Sequence, residues 1–295
     1  TIDRSNNRIL LGIGSNQKQV VSKKGGKKVA FVVQDELWYY DYQKSNMYKV
    51  FSFEGEDYRD SRNNYQKHDV QIMKMKSNGD ISFVVYGYMN RGKHEGNNGI
   101  AVYQFSASDQ RIEELAFIPT KIQYDMMRND IKKGAFLSDD GDFYFYLDGA
   151  VYQVDVESGK SKILAKNITA DMTVFSDNGM LALNQFKNKI KSIDLATQKT
   201  DNISCGKNEV LRPIGFIGKD FIYGIGEKSE IVRQKDGSYL YPLTKVFIRS
   251  NKKNVKTYGE DGTYITDANV DSTTISLTHS RKSGKGYKKV NESYI

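Results

Sequence analysis

The chain has 295 residues, 12% of them aromatic, with 20 Tyr, 14 Phe and only 3 Pro; that much ring surface excludes an intrinsically disordered or proline-rich linker protein. Lys and Arg number 44 against 36 Asp and Glu, giving +8, a balance that suits an anionic polymer or acidic surface, although scattered Lys of this kind also keeps a chain soluble. Cys205 is the single cysteine, so neither an intrachain disulfide nor a cysteine zinc cluster can form.

Taken in chain order, the apolar segments are short and alternate. Val29–Val33, Leu37–Tyr42, Ile81–Tyr88, Phe143–Leu147, Val151–Val156 and Phe221–Ile225 are rich in Val, Ile, Tyr and Phe, residues that fit a pleated, half-buried surface. The stretch from Lys121 to Lys133 mixes Tyr124, Met126 and Met127 with charges and predicts at most a turn or two of helix. No apolar run approaches the roughly 20 residues that span a bilayer as a helix. The expected fold class is all-β.

The strands repeat. A hairpin of an apolar–polar–apolar triplet, a polar turn and a second strand occurs at Tyr40-Asp41-Tyr42, Tyr103-Gln104-Phe105, Val154-Asp155-Val156 and Ile193-Asp194-Leu195, with a weaker copy from Val246. Ser77-Asn78-Gly79-Asp80, Ser138-Asp139-Asp140-Gly141 and Ser176-Asp177-Asn178-Gly179 each feed an apolar strand, and Asn-Gly or Asp-Gly supplies the positive φ that tight hairpins require. Placing the second strand of each unit at Ala30, Ile81, Phe143, Leu181, Phe221 and Thr274 gives a period of about 49 residues, the length of a four-stranded propeller blade.

The Ser-Asp-Asp-Gly turn, the Val-Tyr-Gln-Val-Asp-Val strand and the Ser-Gly-Lys turn of residues 138–163 resemble one blade of the bacterial β-propellers, such as the TolB-type and related non-WD40 families. The resemblance covers about residues 28–290. It implies one β-propeller domain over 1–295, with six four-stranded blades and five or seven as alternatives, and an extracytoplasmic, cell-envelope setting. The last unit lacks an outer strand, so an N-terminal strand near 8–13 is expected to close the ring. A β-sandwich or two smaller β-domains is the structural alternative. The chain opens on Thr1 and stops within a strand-like pattern; it reads as a piece of a longer protein whose anchor lies elsewhere.

In an antiparallel meander, the first–second and third–fourth turns share one end, and the second–third and fourth–first connections share the other. The turns of the first kind are short. The long connections, residues 54–69, 90–99, 119–132 and 226–243, all belong to the second kind, and long loops on a rigid scaffold are where binding usually resides. They carry Tyr58, Arg59, Arg62, Tyr65 and His68, then Arg91 and His94, then Tyr124, Met127 and Arg128, then Arg233, Tyr239 and Tyr241. Arg and Tyr are enriched at interfaces because they bury large area and keep a polar end. These thirteen residues form the candidate binding face.

Catalytic signatures are missing. Gly159-Lys160-Ser161 has Val154 where a P-loop needs glycine. His68, His94 and His279 show no metal-ligand spacing, and there is no Gly-x-Ser-x-Gly elbow. Adjacent acids at Glu113-Glu114, Asp139-Asp140 and Glu260-Asp261 do not give the spatial separation that defines a glycosidase. The expectation is a non-enzymatic module with no cofactor and no metal, binding a protein, peptide or glycan of the envelope. An anionic polymer is a further candidate, while the lack of an RNA-binding motif argues against nucleic acid. Membrane association would come only through an anchor outside this chain. The alternative is a hydrolase acting on a carbohydrate or peptide at the central channel.

Overall fold

Every alternating segment of the sequence becomes a strand. The computed structural model describes residues 2–3, 8–9, 17–22, 28–33, 36–42, 44–53, 62, 67–235, 237–271 and 273–295. Their strands pair antiparallel with their neighbours in chain order. The first sheet is Gln17–Ser22, Lys28–Val33, Glu36–Asp41 and Asn46–Phe51; the second is His68–Met75, Ile81–Tyr88, Asn98–Ser106 and Arg111–Pro119. The third is Ala135–Leu137, Asp142–Leu147, Ala150–Asp155 and Ser161–Lys166, and the fourth Thr173–Phe175, Met180–Leu183, Lys189–Asp194 and Thr200–Ser204. The fifth group is Glu209–Ile217, Asp220–Glu227, Leu243–Ser250 and Lys253–Tyr258. A single pairing, Leu243 with Ile265, connects it to three last strands, Tyr264–Val270, Ile275–Ser283 and Gly286–Tyr294.

Consecutive four-stranded antiparallel meanders are the repeating unit of a β-propeller. Ala30, Ile81, Phe143, Leu181 and Phe221 each lie in the second strand of their group, and Thr274 immediately precedes it in the last. Of the strand expected to close the ring, only the first two residues are described. Arg8–Ile9 pairs with Ile2–Asp3, and residues 10–13 lie outside the described residues. The segment expected to give a turn or two is a ten-residue helix, Tyr124–Lys133. Its interior-facing positions, Met127 and Ile131, are four apart and fully buried, and Asp125 at its start and Lys132 and Lys133 at its end complement the helix dipole.

The chain divides into two compact units, Thr1–Phe143 with Gln153–Lys162, and Tyr144–Tyr152 with Ile163–Ile295. In the first, Ala30, Val32, Leu37, Val70, Ile72, Phe83 and Val85 share one core. Strand Ile81–Tyr88 is buried on both faces, which is why it reads as a nearly continuous apolar run. The outer strand Asn46–Phe51 is largely exposed and alternates instead. In the second unit, Ala182, Ile190, Leu211, Phe221 and Tyr223 form one cluster and Ile222, Leu243, Val246, Ile265 and Ile275 another. Burying each such side chain stabilises by roughly 1.5–3 kcal/mol before the entropy of ordering it is counted.

The turns carry their own chemistry. Ser138 Oγ accepts from the Asp142 amide and Ser176 Oγ from the Met180 amide, both at 2.9 Å. Asp155 Oδ1 accepts from the amides of Glu157 and Ser158 at 3.0 and 2.8 Å, and Asp194 Oδ1 from those of Ala196 and Thr197 at 3.1 Å. Within one sheet the Val156 amide donates to Gly141 O at 3.0 Å, and within the next the Leu195 amide donates to Gly179 O at 2.8 Å. First–second and third–fourth turns therefore share an end. At the other end the Lys228 amide donates to Asn208 O at 2.9 Å, which joins a second–third connection to a fourth–first one.

Candidate functional site

In the first unit, three of the long connections meet at one end of the second sheet. The connection after Tyr88 closes on itself through the amides of Met89 and Gly96, which donate to Asn97 O and Met89 O at 2.9 Å. Asn90 Nδ2 donates to Arg62 O at 3.0 Å, and Arg62 Nη1 reaches both oxygens of Glu95 at 3.3 and 3.2 Å. The connection leading into this sheet is thereby fixed to the loop after its second strand. The helix Tyr124–Lys133 adds the third piece. Tyr124 packs so close to Gly87 that a β-carbon there would meet its ring at 2.8 Å. Arg128 lies 5.9 Å over the Tyr124 ring, and its Nε pairs with Asp69 Oδ2 at 3.1 Å.

The expected residues divide by depth. Arg62 and Arg128 project, with side chains 47% and 48% exposed. Arg91, His94 and Tyr124 are half-buried. His68 and Met127 are buried and support the face from beneath, a correction to their expected place on it; His68 lies edge-on to Phe53 at 4.5 Å. His94 stacks flat on Phe117 at 3.7 Å, and its Nε2 lies 2.8 Å from Glu114 Oε1. Tyr58, Arg59 and Tyr65 lie outside the described residues.

In the second unit, Arg233 and Tyr239 face each other across a short hairpin and are exposed. Tyr241 is buried, again a correction, because Arg212 covers its ring at 5.1 Å while Arg212 Nη2 lies 3.6 Å from Asp171. Burial raises the Tyr241 phenol, with Asp171 adding to the effect. Sequence reasoning missed Arg212 because it sits inside a strand. It also missed Glu114, which accepts from Lys93 at 3.4 Å and from Tyr103 Oη at 3.3 Å besides meeting His94.

The arrangement in the first unit supplies cationic groups and ring faces. The acids nearby are engaged: Glu95 by Arg62, Asp69 by Arg128 and Glu114 by His94. Asp139, one of the adjacent acids, pairs with Lys74. Among the described residues no three His, Cys, Asp or Glu side chains are placed to hold a metal ion. Such a surface can take up carboxylates, hydroxyls and planar groups.

No family model matches the chain, and no curated protein sequence does. Similar solved structures include the WD40 domain of SCAP from fission yeast, 10% identical over 96% of this chain and 77% of that one, with a TM-score of 0.43. The Cps50 (Swd1) β-propeller domain of Myceliophteria thermophila is 10% identical over 95% and 86%, with a TM-score of 0.43. BamB from Moraxella catarrhalis is 9% identical over 86% and 67%, with a TM-score of 0.36. Likeness at this level concerns architecture, and no activity or partner passes from these proteins to this chain.

Proposed function

We propose that the chain is a non-enzymatic binding module of an extracytoplasmic, envelope-associated protein, recognising a protein, peptide or glycan through the loop end of the second sheet. The observation that carries the reading is the gathering of Arg62, Arg91, Tyr124 and Arg128 from three separate connections. Glu95 and Asp69 hold two of these cations in place. Cations already fixed by the scaffold lose little freedom on binding, which favours affinity. The envelope setting rests on the resemblance of residues 138–163 to bacterial propeller blades.

Photo-crosslinking tests this reading. A photoreactive phenylalanine analogue at Tyr124 is exposed to an envelope fraction, and adducts are identified by mass spectrometry. The same experiment is run on a chain carrying Arg62→Ala, Arg91→Ala and Lys93→Ala. The expected result is a discrete adduct that the triple variant loses by about tenfold, the effect of removing one or two interfacial hot spots. Equal adducts in both chains, or none, would remove the loop end as the recognition surface.

A further inference from the structure

A second surface, in the other unit, is independent of the loop end. A groove of about 510 Å³ runs along the fourth sheet, lined on its apolar side by Leu164, Leu183 and Ile193. That volume lies within the range of pockets that hold ligands of drug or short-peptide size. Phe186 stands at its mouth with 68% of its surface exposed. The backbone beside this ring is fixed. The turn that carries it places Lys187 at φ +61°, and buried Asn184 donates through Nδ2 to Lys187 O at 3.3 Å and to Leu211 O. A large aromatic fixed in solvent beside an apolar trough is the composition of an interface hot spot.

Charge selects the occupant. Lys189 and Lys191 line the groove, which contains no carboxylate. Neither lysine joins an ion pair among the described residues. The carboxylates on the strands bordering the groove are engaged with other cations. Asp194 binds Lys219 at 2.8 Å, and Asp201 is held by Arg249 through Nε at 2.6 Å and Nη2 at 3.1 Å. The groove is therefore an apolar trough with an uncompensated positive rim. It also borders a strand edge: Thr200–Ser204 pairs only with Lys189–Asp194 among the described residues, so backbone donors and acceptors are available to an extended chain.

We infer that this groove binds an extended acidic peptide segment of a partner protein, apolar side chains seated on Leu183 and Ile193, which share a sheet face with Lys191, and flanking carboxylates on Lys189 and Lys191. Phe186 would close over the anchor side chain.

The test uses the full chain and two short fluorescein-labelled peptides, each with a central Leu-Ser-Phe core, one flanked by Glu and the other by Lys. Anisotropy should show the Glu-flanked peptide binding, with a Kd that rises several-fold as salt increases from roughly 0.05 to 0.3 M and screens the charges. Lys189→Glu with Lys191→Glu should weaken that peptide at least about tenfold and create binding of the Lys-flanked peptide, a reversal of preference that a misfolded chain cannot produce. Phe186→Ala, at an exposed position, should weaken the Glu-flanked peptide several-fold with no loss of thermal stability. Equal binding of both peptides by the parent chain, no binding of either, or affinity unchanged by the charge reversal would each overturn the assignment.

Discussion

His94 Nε2 lies 2.8 Å from Glu114 Oε1 while the imidazole stacks on Phe117 at 3.7 Å, so one side chain fastens the loop after Tyr88 to the outer strand of its own sheet. Burial works against ionisation of Glu114, but the hydrogen bond and charge of His94, and then those of Lys93, outweigh it and hold the carboxyl below the usual glutamate range. A carboxyl lowered in the folded state contributes stability that is complete above its unfolded pKa of about 4.3 and is lost as pH falls through the folded value. Glu114→Gln should therefore cost about 1–2 kcal/mol at neutral pH, the worth of a charge-assisted hydrogen bond. It should also flatten the fall in melting temperature between about pH 5 and pH 3. Parallel melting-temperature curves for the two chains over that interval would show that the contact contributes nothing.

The helix makes a sharper contrast. Met127 is fully buried while its neighbour Met126 is 52% exposed. Met127→Ala should lower stability by about 2–4 kcal/mol through lost burial and an unfilled cavity, whereas Met126→Ala should stay within about 0.5 kcal/mol. Urea unfolding of the two variants checks this directly, and similar midpoints would mean that the helix does not dock through Met127.

These examples show what a sequence can and cannot reveal. The blade period was legible because turn chemistry is local: Ser138 and Gly141, or Asp155 and Gly159, fix a turn through contacts within a few residues. Depth was not legible for His68, Met127 and Tyr241. The residue types that anchor interfaces are those that fill cores, and only tertiary partners, such as Phe53 for His68 and Arg212 for Tyr241, separate the two uses. The helix was under-read because Asp125, Arg128 and Asp130 interrupt the apolar spacing, leaving a two-residue buried stripe. Arg212 and Glu114 gained their roles from partners 41 and 20 residues away, Asp171 and His94, which no local pattern encodes.

Two turn glycines should respond differently to the same change. Gly141 has φ +87° and the nearest atom to an added β-carbon is Val156 Cγ2 at 3.5 Å. Gly141→Ala should cost only the left-handed backbone penalty, about 1–2 kcal/mol. Gly79 has φ +100°, and its β-carbon would collide with the hydroxyl of buried Tyr39 and crowd Ala107 at 3.1 Å. Gly79→Ala should therefore be clearly the worse of the two, by about 1–3 kcal/mol of overpacking. Calorimetric melting of both variants decides it; equal losses would mean that Tyr39 yields freely and that only φ matters.

Arg249 binds Asp201 with two nitrogens on two oxygens and shares Asn254 Oδ1 with the Tyr223 hydroxyl. The pair joins a strand of the fourth sheet to one of the fifth, with both side chains largely shielded, 17% and 22% exposed. A planar fork matches a carboxylate in a way that an ammonium cannot. Arg249→Lys preserves the charge yet should cost about 1–2 kcal/mol, and Asp201→Asn about the same, with the double variant losing much less than the sum. Removing the guanidinium altogether reaches the groove of the fourth sheet, because Arg249→Ala leaves the Asp201 carboxylate without this cation one residue from groove-lining Asn202. Binding of the Glu-flanked peptide should weaken in Arg249→Ala and recover when Asp201→Asn is added. Recovery of stability without recovery of binding would confine the pair to a structural role and separate it from the charge balance of the groove.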